Sequence, residues 1–233
     1  MRRGEERDER FRAAQARHFT VADPAQFDWQ VAGPGFAPLE RALLAPVAAE
    51  FATPYLEVGC GEGANFVHVG GEGLRAGVDR FPAKLAFARS RLPGVGFVAA
   101  DAAALPFATA RVRCVLIRDL LHHVIAPERV LTEAVRVLVP GGRLFVIEPN
   151  GANPLVAVQG RLVRAEAGLR TSRRQALGTY LAAQPLVDVR LELHHPLPLR
   201  RLVLHHRFGL PALGRVALVA RGLDALERVA AAV

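Results

Sequence analysis

A chain of 233 residues, 51% of them hydrophobic, is long enough to bury one sizeable core, since single α/β domains reach roughly 200 to 250 residues. No run of about 18 apolar residues occurs, and the charged opening Met1 to Arg10 leads into no apolar stretch; both argue against a membrane span or signal peptide and for a cytoplasmic protein. The formal charge of +8 is almost wholly arginine, Lys84 being the only lysine, so it argues only weakly for nucleic acid or an anionic membrane as partner. Cys60 and Cys114 sit in or beside apolar runs without a C-x-x-C pair and read as reduced thiols.

Residues 2–17 mix both charge signs densely, which suits a solvated helix or frayed terminus without chemistry. Residues 23–38 are rich in Pro and Gly around Phe27, Trp29 and Phe36 and read as turns. A helix over about 39–51 follows. Beyond Pro54, apolar runs at 55–58, 74–78, 96–100, 112–117 and 144–147 alternate with helical patterns near 63–70, 82–91 and 127–138. That alternation predicts a Rossmann-like, doubly wound, mostly parallel α/β sheet with helices on both faces, whose ligands bind at the carboxyl ends of the strands. After Pro149, helices are expected at 154–167 and 173–182, a strand at 186–193, and a helix over 213–230 in preference to a last strand at 216–220. The expected layout is an N-terminal segment 1–38 acting as a lid, a binding core at 39–150, and an acceptor-side cap at 151–233 within the same domain.

The first strand ends in Glu57-Val58-Gly59-Cys60-Gly61-Glu62-Gly63. Glycines there turn the chain without Cβ clashes and let a ligand lie on bare backbone, although glycines in a strand–helix turn also serve tight packing alone. Asp79 ends the second strand, 22 residues beyond Glu57, where an acidic residue meets the paired hydroxyls of a ribose. Asp101 ends the third, placed to accept from an exocyclic amine. Each aspartate would also serve as a helix N-cap, but acids on three successive strand ends favour a ligand.

In order, Glu57–Gly63, Asp79, Asp101-Ala102, Leu120-Leu121-His122-His123-Val124 and Leu138-Val139-Pro140-Gly141-Gly142-Arg143-Leu144 resemble the motifs of class I S-adenosylmethionine-dependent methyltransferases over about residues 50–150. The likeness is to the branch of quinone-biosynthesis and small-molecule enzymes. It implies a seven-stranded sheet, S-adenosyl-L-methionine as cofactor, Gly59, Cys60, Gly61 and Gly63 beside its methionine portion, and Glu57 at its ammonium. It further implies Asp79 and Arg80 at the ribose, Asp101 with Ala102 at adenine, and Arg118 at the fourth strand end, where family members mostly use backbone contacts. A dinucleotide site prefers G-x-G-x-x-G, and Glu57 would sit poorly beside a diphosphate.

Methyl transfer from a sulfonium chiefly needs alignment and exclusion of water. Where the acceptor is a hydroxyl or acidic carbon, His122 or His123 is the candidate base. No metal is expected: adjacent histidines at 194–195 and 205–206 on a strand would face opposite ways with no cysteine or carboxylate cluster beside them. The expected acceptor is an O or C atom of a small molecule, lipid-like or anionic in view of Arg161, Arg164, Arg170, Arg173 and Arg174. Peripheral contact with the inner membrane and a homo-dimer are further expectations, while nucleic acid is disfavoured. The alternatives are a non-catalytic cofactor-binding module and an RNA methyltransferase, the latter opposed by the lack of an Asn-Pro-Pro-Tyr-like motif.

Overall fold

The computed structural model describes residues 2–194, 198–207 and 209–231. In chain order its elements are α1 (Arg2–Phe19), α2 (Pro24–Ala32), α3 (Ala37–Ala49), β1 (Tyr55–Val58), α4 (Asn65–Val69), β2 (Arg75–Asp79), α5 (Pro82–Arg91) and β3 (Gly96–Ala99). They continue with β4 (Val112–Arg118), α6 (Pro127–Val137), β5 (Leu138–Ile147), α7 (Pro154–Leu162), α8 (Arg174–Ala182), α9 (Leu199–Val203) and α10 (Ala217–Ala231). Contacts divide the chain into two units. The first comprises Met1–Ala22, Phe51–Gly61 and Glu72–Leu191, the second Asp23–Glu50, Glu62–Gly71 and Glu192–Val233.

The first unit is built on a five-stranded sheet in the order β3-β2-β1-β4-β5, with every pair parallel. Helices flank it, as doubly wound α/β folds require. All four residues of β1 are buried, and β4 is buried at every position but Arg113, which is why these strands read as near-continuous apolar runs. α6 shows how sequence becomes core: Val130, Leu131, Ala134 and Val137 recur at helical spacing and lie fully buried with Leu56, Val58, Val115 and Ile117. Its opposite face carries Glu133 and Arg136. The Arg136 guanidinium donates to both Glu133 oxygens (2.7 and 2.8 Å) and to the carbonyls of Leu105 and Phe107 (3.1 and 2.9 Å), tying down the loop that follows β3.

Strand order reverses between β1 and β4. Because all strands run the same way, Val58, Asp79, Ala99, Arg118 and Ile147 end along one edge, and the reversal opens a crevice at that edge.

Several expectations are corrected. The sheet has five strands among the described residues, not seven. The predicted strand at 186–193 is unpaired: Leu186 and Leu191, five positions apart, pack on the core cluster beside Leu177 and Leu181 of α8, while Val187, Val189 and Leu193 are exposed, so the apolar alternation corresponds to no buried face. β5 starts at Leu138 rather than 144, since Pro140-Gly141-Gly142 is absorbed by a register shift against β4, with Gly141 at φ 76°. Residues 24–32 are helical where turns were expected; Asp23 caps the Gln26 N–H at 3.1 Å and Pro24 opens the first turn.

In the second unit, Trp29 stacks on Phe36 with centroids 3.6 Å apart, and Leu39 completes their cluster. The expected C-terminal helix is present as α10, whose Glu227 accepts from the backbone N–H of Arg200 at 2.7 Å. Among the described residues no helix is long and apolar enough to cross a membrane.

Leu131 is 0% exposed. Leu131→Ala is therefore expected to lower unfolding free energy by about 2–5 kcal/mol, read as a reduced denaturant midpoint with an unchanged m-value.

Candidate cofactor and acceptor site

The turn after β1 is shaped by backbone first. Gly59 and Cys60 both donate to the carbonyl of Val78 (2.7 and 3.0 Å), and Gly59, Gly61 and Gly63 take φ of 78°, 50° and 80°, the left-handed region where glycine is at home. A Cβ at Gly59 would lie 2.9 Å from both Leu120 methyls, whereas one at Gly61 would meet only the Lys84 Nζ, at 3.9 Å. Gly59 thus serves packing, and Gly61 leaves bare, accessible backbone. Glu57 is buried at the end of β1. The Cys60 thiol turns inward, since a Cβ on Gly77 would come within 2.7 Å of its Sγ; only the backbone of Cys60 faces the turn. Both cysteines are buried and neither is in a disulfide.

Asp79 binds the turn to the sheet. Its Oδ2 accepts from the Gly61 N–H and its Oδ1 from the Phe81 N–H, both at 2.9 Å. The neighbouring Arg80 is exposed, its guanidinium 5.6 Å from the Phe81 ring centroid. Asp101 is exposed and caps its own turn, Oδ1 accepting from Ala103 at 2.9 Å. No helix begins there, so the N-cap alternative fails for this residue. Ala102 packs against the core cluster. Arg118 is buried beside the Asp119 carboxylate at 3.5 Å, and Asp119 itself adopts φ 50°, a conformation uncommon outside glycine and typical of functional turns.

The two histidines lie on a short 3-10 turn, Leu121–His123. Such a turn does not send neighbours to opposite faces as a strand does, and their ring centroids are 3.9 Å apart. Glu148, just past β5, holds this turn: its carboxylate accepts from the N–H groups of Leu120 and Leu121 (both 2.7 Å) and His122 (3.4 Å), and from His122 Nδ1 at 2.6 Å. Glu166 reaches the same histidine from the other side, its Oε2 3.5 Å from His122 Nε2 and 4.0 Å from His123 Nε2. From α1, Gln15 places its amide nitrogen 3.1 Å from His123 Nδ1 and also donates to the carbonyl of Ala165. Phe19 packs edge-on to the His123 ring at 4.8 Å and near Phe81 at 6.4 Å, with the Lys84 Nζ 5.1 Å from its centroid.

Adjacent in sequence, the two imidazoles differ in charge. Burial would push His122 down, but its hydrogen bonds to Glu148 and Glu166 outweigh that and raise its pKa to about 10. Burial, with the cationic His122 beside it, lowers His123 to about 4. Burial of Glu166 opposes ionisation, yet the His122 hydrogen bond and both histidine charges hold its pKa below the ordinary value.

Residues 56–146 match the family model described as a methyltransferase domain. They are a class I, S-adenosylmethionine-dependent methyltransferase domain. The chain is 36% identical over 99 residues to the ubiquinone/menaquinone biosynthesis C-methyltransferase UbiE of Acidiphilium cryptum, covering 40% of each chain. It is 31% identical over 192 residues to an uncharacterized protein of Mycobacterium tuberculosis, covering 81% of this chain and 64% of that one. The first three curated relatives are matched over only 25–40% of their own length. Among solved structures, phosphoethanolamine N-methyltransferase 2 of Haemonchus contortus, in complex with phosphomonomethylethanolamine and S-adenosylhomocysteine, superposes with a TM-score of 0.66 at 17% identity, covering 94% of this chain and 56% of that one. At that identity the likeness concerns the fold. S-adenosylmethionine is the cofactor of this domain type.

Three residues of the histidine cluster lie outside the matched domain: Gln15, Glu148 and Glu166. In the sequence, Glu148-Pro149-Asn150 reads as a strand end that faces the acceptor or as a turn-former before Asn153-Pro154. Gln15 and Glu166 had no sequence signal beyond standing among charged neighbours, and α1 carries site residues where no chemistry was expected. Among the other histidines, His206 lies 3.3 Å from Asp23 within the second unit, and His195 lies outside the described residues.

Glu148→Ala would leave three backbone N–H groups and a buried imidazolium without their acceptor. The expected cost is about 3–5 kcal/mol, seen as a lower Tm, with Glu148→Gln intermediate because one carbonyl oxygen remains to accept.

Proposed function

We propose that the chain transfers the methyl group of S-adenosylmethionine to an oxygen or carbon atom of a small molecule. The observation that carries this is the carboxyl edge of the sheet, where the open backbone at Gly61 adjoins the Asp79 carboxylate at 2.9 Å, between buried Glu57 and exposed Asp101. These residues fit the cofactor's groups. Glu57 carries charge opposite to its ammonium, the backbone of Gly59, Cys60 and Gly61 gives its methionine portion room, the Asp79 carboxylate suits the ribose hydroxyls with Arg80 alongside, and Asp101 with the Ala102 backbone suits adenine. Arg118 contributes by its place at the end of β4, its side chain being committed to Asp119.

When bound, the cofactor supplies an electrophilic methyl on a sulfonium with a built-in leaving group. What remains for the protein is to orient the acceptor, exclude water and receive a proton where the acceptor has one to lose. His122 has a carboxylate at each ring nitrogen, so the choice between the two histidines narrows to His123, which Phe19 and Gln15 cover from α1.

The curated relatives include a ubiquinone/menaquinone C-methyltransferase and demethylmenaquinone methyltransferases, which makes hydroxylated aromatic and quinol acceptors, methylated on carbon, the first class to assay. An anionic or lipid-like acceptor accords with the arginines that follow β5.

Asp79→Ala is expected to weaken S-adenosylhomocysteine binding at least tenfold in calorimetry, because it removes the ribose partner and loosens the Gly61 turn. Unchanged affinity, or no binding by the wild type, would overturn the assignment. Binding without turnover across a panel of hydroxylated aromatics would favour the non-catalytic module.

A further inference from the structure

Among the described residues, one group of three metal-capable side chains converges, His122, His123 and Glu166, with one donor atom from each within 4.8 Å of the others. We propose that this cluster is a binding site for a divalent first-row transition ion of the zinc class, held by two imidazoles and one carboxylate beside the methyl-transfer site.

The separations suit such an ion. Tetrahedral zinc with ligand bonds of 2.0–2.1 Å sets neighbouring donors about 3.4 Å apart. Glu166 Oε2 stands 3.5 Å from His122 Nε2 and 4.0 Å from His123 Nε2, so modest side-chain rotation closes the site. Two nitrogens and a carboxylate form the donor set of open, catalytic sites rather than closed structural ones.

The surroundings supply what metal-binding histidines need. A ligating imidazole donates its other N–H to an oriented carboxylate, and His122 Nδ1 meets Glu148 at 2.6 Å, with Glu148 fixed by the backbone N–H groups of Leu120 and Leu121. Charge points the same way. Glu148 and Glu166 bring two negative charges to one imidazolium, and Asp119 is already matched to Arg118. A dication that displaces the Nε2 proton of His122 to solvent leaves two carboxylates facing two positive charges.

The tautomer of His123 sets whether its Nε2 is open to an ion. Gln15 Nε2 lies 3.1 Å from His123 Nδ1 and donates to Ala165, and the Ala165 carbonyl also takes a hydrogen bond from the His123 ring; with the proton on Nδ1, Nε2 is left for the ion. The proposal deepens the acceptor side of the proposed function and rests on that reading only for its consequence. An acceptor hydroxyl bound at an open coordination position would have its pKa lowered by the ion's charge and release its proton to solvent water, in place of transfer to His123.

The test is calorimetric titration of the chelator-stripped full chain with zinc, alongside cobalt as a visible-absorbing probe. Expected are one ion per chain, tetrahedral or five-coordinate cobalt bands, and affinity reduced at least tenfold in Glu166→Ala and in His123→Ala, each checked for folding by circular dichroism. Gln15→Glu, which supplies an acceptor for the His123 Nδ1–H, should bind more tightly than wild type. Absence of saturable binding by the folded wild type, or affinity unmoved by both Glu166→Ala and His123→Ala, would overturn the site. Should either variant misfold, a Gln15→Glu affinity no higher than wild type would do the same. S-adenosylhomocysteine binding in the stripped protein is read separately, so loss of the metal site leaves the methyltransferase reading standing, and the converse.

Discussion

The parallel register of the sheet is the constraint on which the rest of the first unit depends. With every strand running the same way, five chain turns crowd one edge, and each presents backbone N–H groups that the strand ladder no longer satisfies. This chain meets them with carboxylates. Asp79 takes the N–H groups of Gly61 and Phe81, Asp101 that of Ala103, and Glu148 those of Leu120, Leu121 and His122. The edge is thereby both rigid and rich in negative charge. A sulfonium cofactor carrying an ammonium group is complementary to such an edge, whereas a diphosphate is not, so the groups that hold the loops also select the kind of ligand the edge accepts.

Rigidity at this edge is uneven, and the unevenness has a use. Gly59 is closed off by Leu120, so the step from β1 into its turn is locked to the step from β4 into the histidine turn. Gly61 is open, with only Lys84 nearby. A substituent at the first position would push two loops apart; the second is where an occupant fits without disturbing either. Packing thus separates the glycine that couples the two halves of the crevice from the one that lines it.

What could be read from the sequence was whatever stands in one stretch of chain. Strands β1 to β4, helices α5 and α6, and the acids at successive strand ends each declare themselves within a few residues, because burial on both faces and the strand–turn–acid order are local patterns. Residues 186–193 misled because their apolar alternation matches no buried face: Val187, Val189 and Leu193 are exposed, and Leu186 and Leu191, of opposite parity, are the residues that reach the core. Residues 24–32 misled because Pro and Gly mark both turns and helix starts, and Asp23-Pro24 is a start. Gln15 and Glu166 were out of reach for a different reason: each is an ordinary polar residue until the fold carries it, across 108 and 43 positions, to His123.

The histidine pair shows the consequence. Identical side chains at consecutive positions are indistinguishable by residue type, and on a strand they would face apart. The 3-10 turn aligns them, and neighbours from distant segments then divide their roles: Glu148 after β5 and Glu166 after α7 hold His122 charged, while burial and that charge keep His123 neutral, with Gln15 from α1 beside its ring. Environments that drive two titratable groups apart are how one site comes to hold both a fixed cation and a neutral ligand. Glu166 faces both rings, so whatever enters between the three groups, a proton, an acceptor hydroxyl or a metal ion, meets two nitrogens and a carboxylate at once. That shared approach ties whatever chemistry the histidine pair performs to segments outside the matched methyltransferase domain.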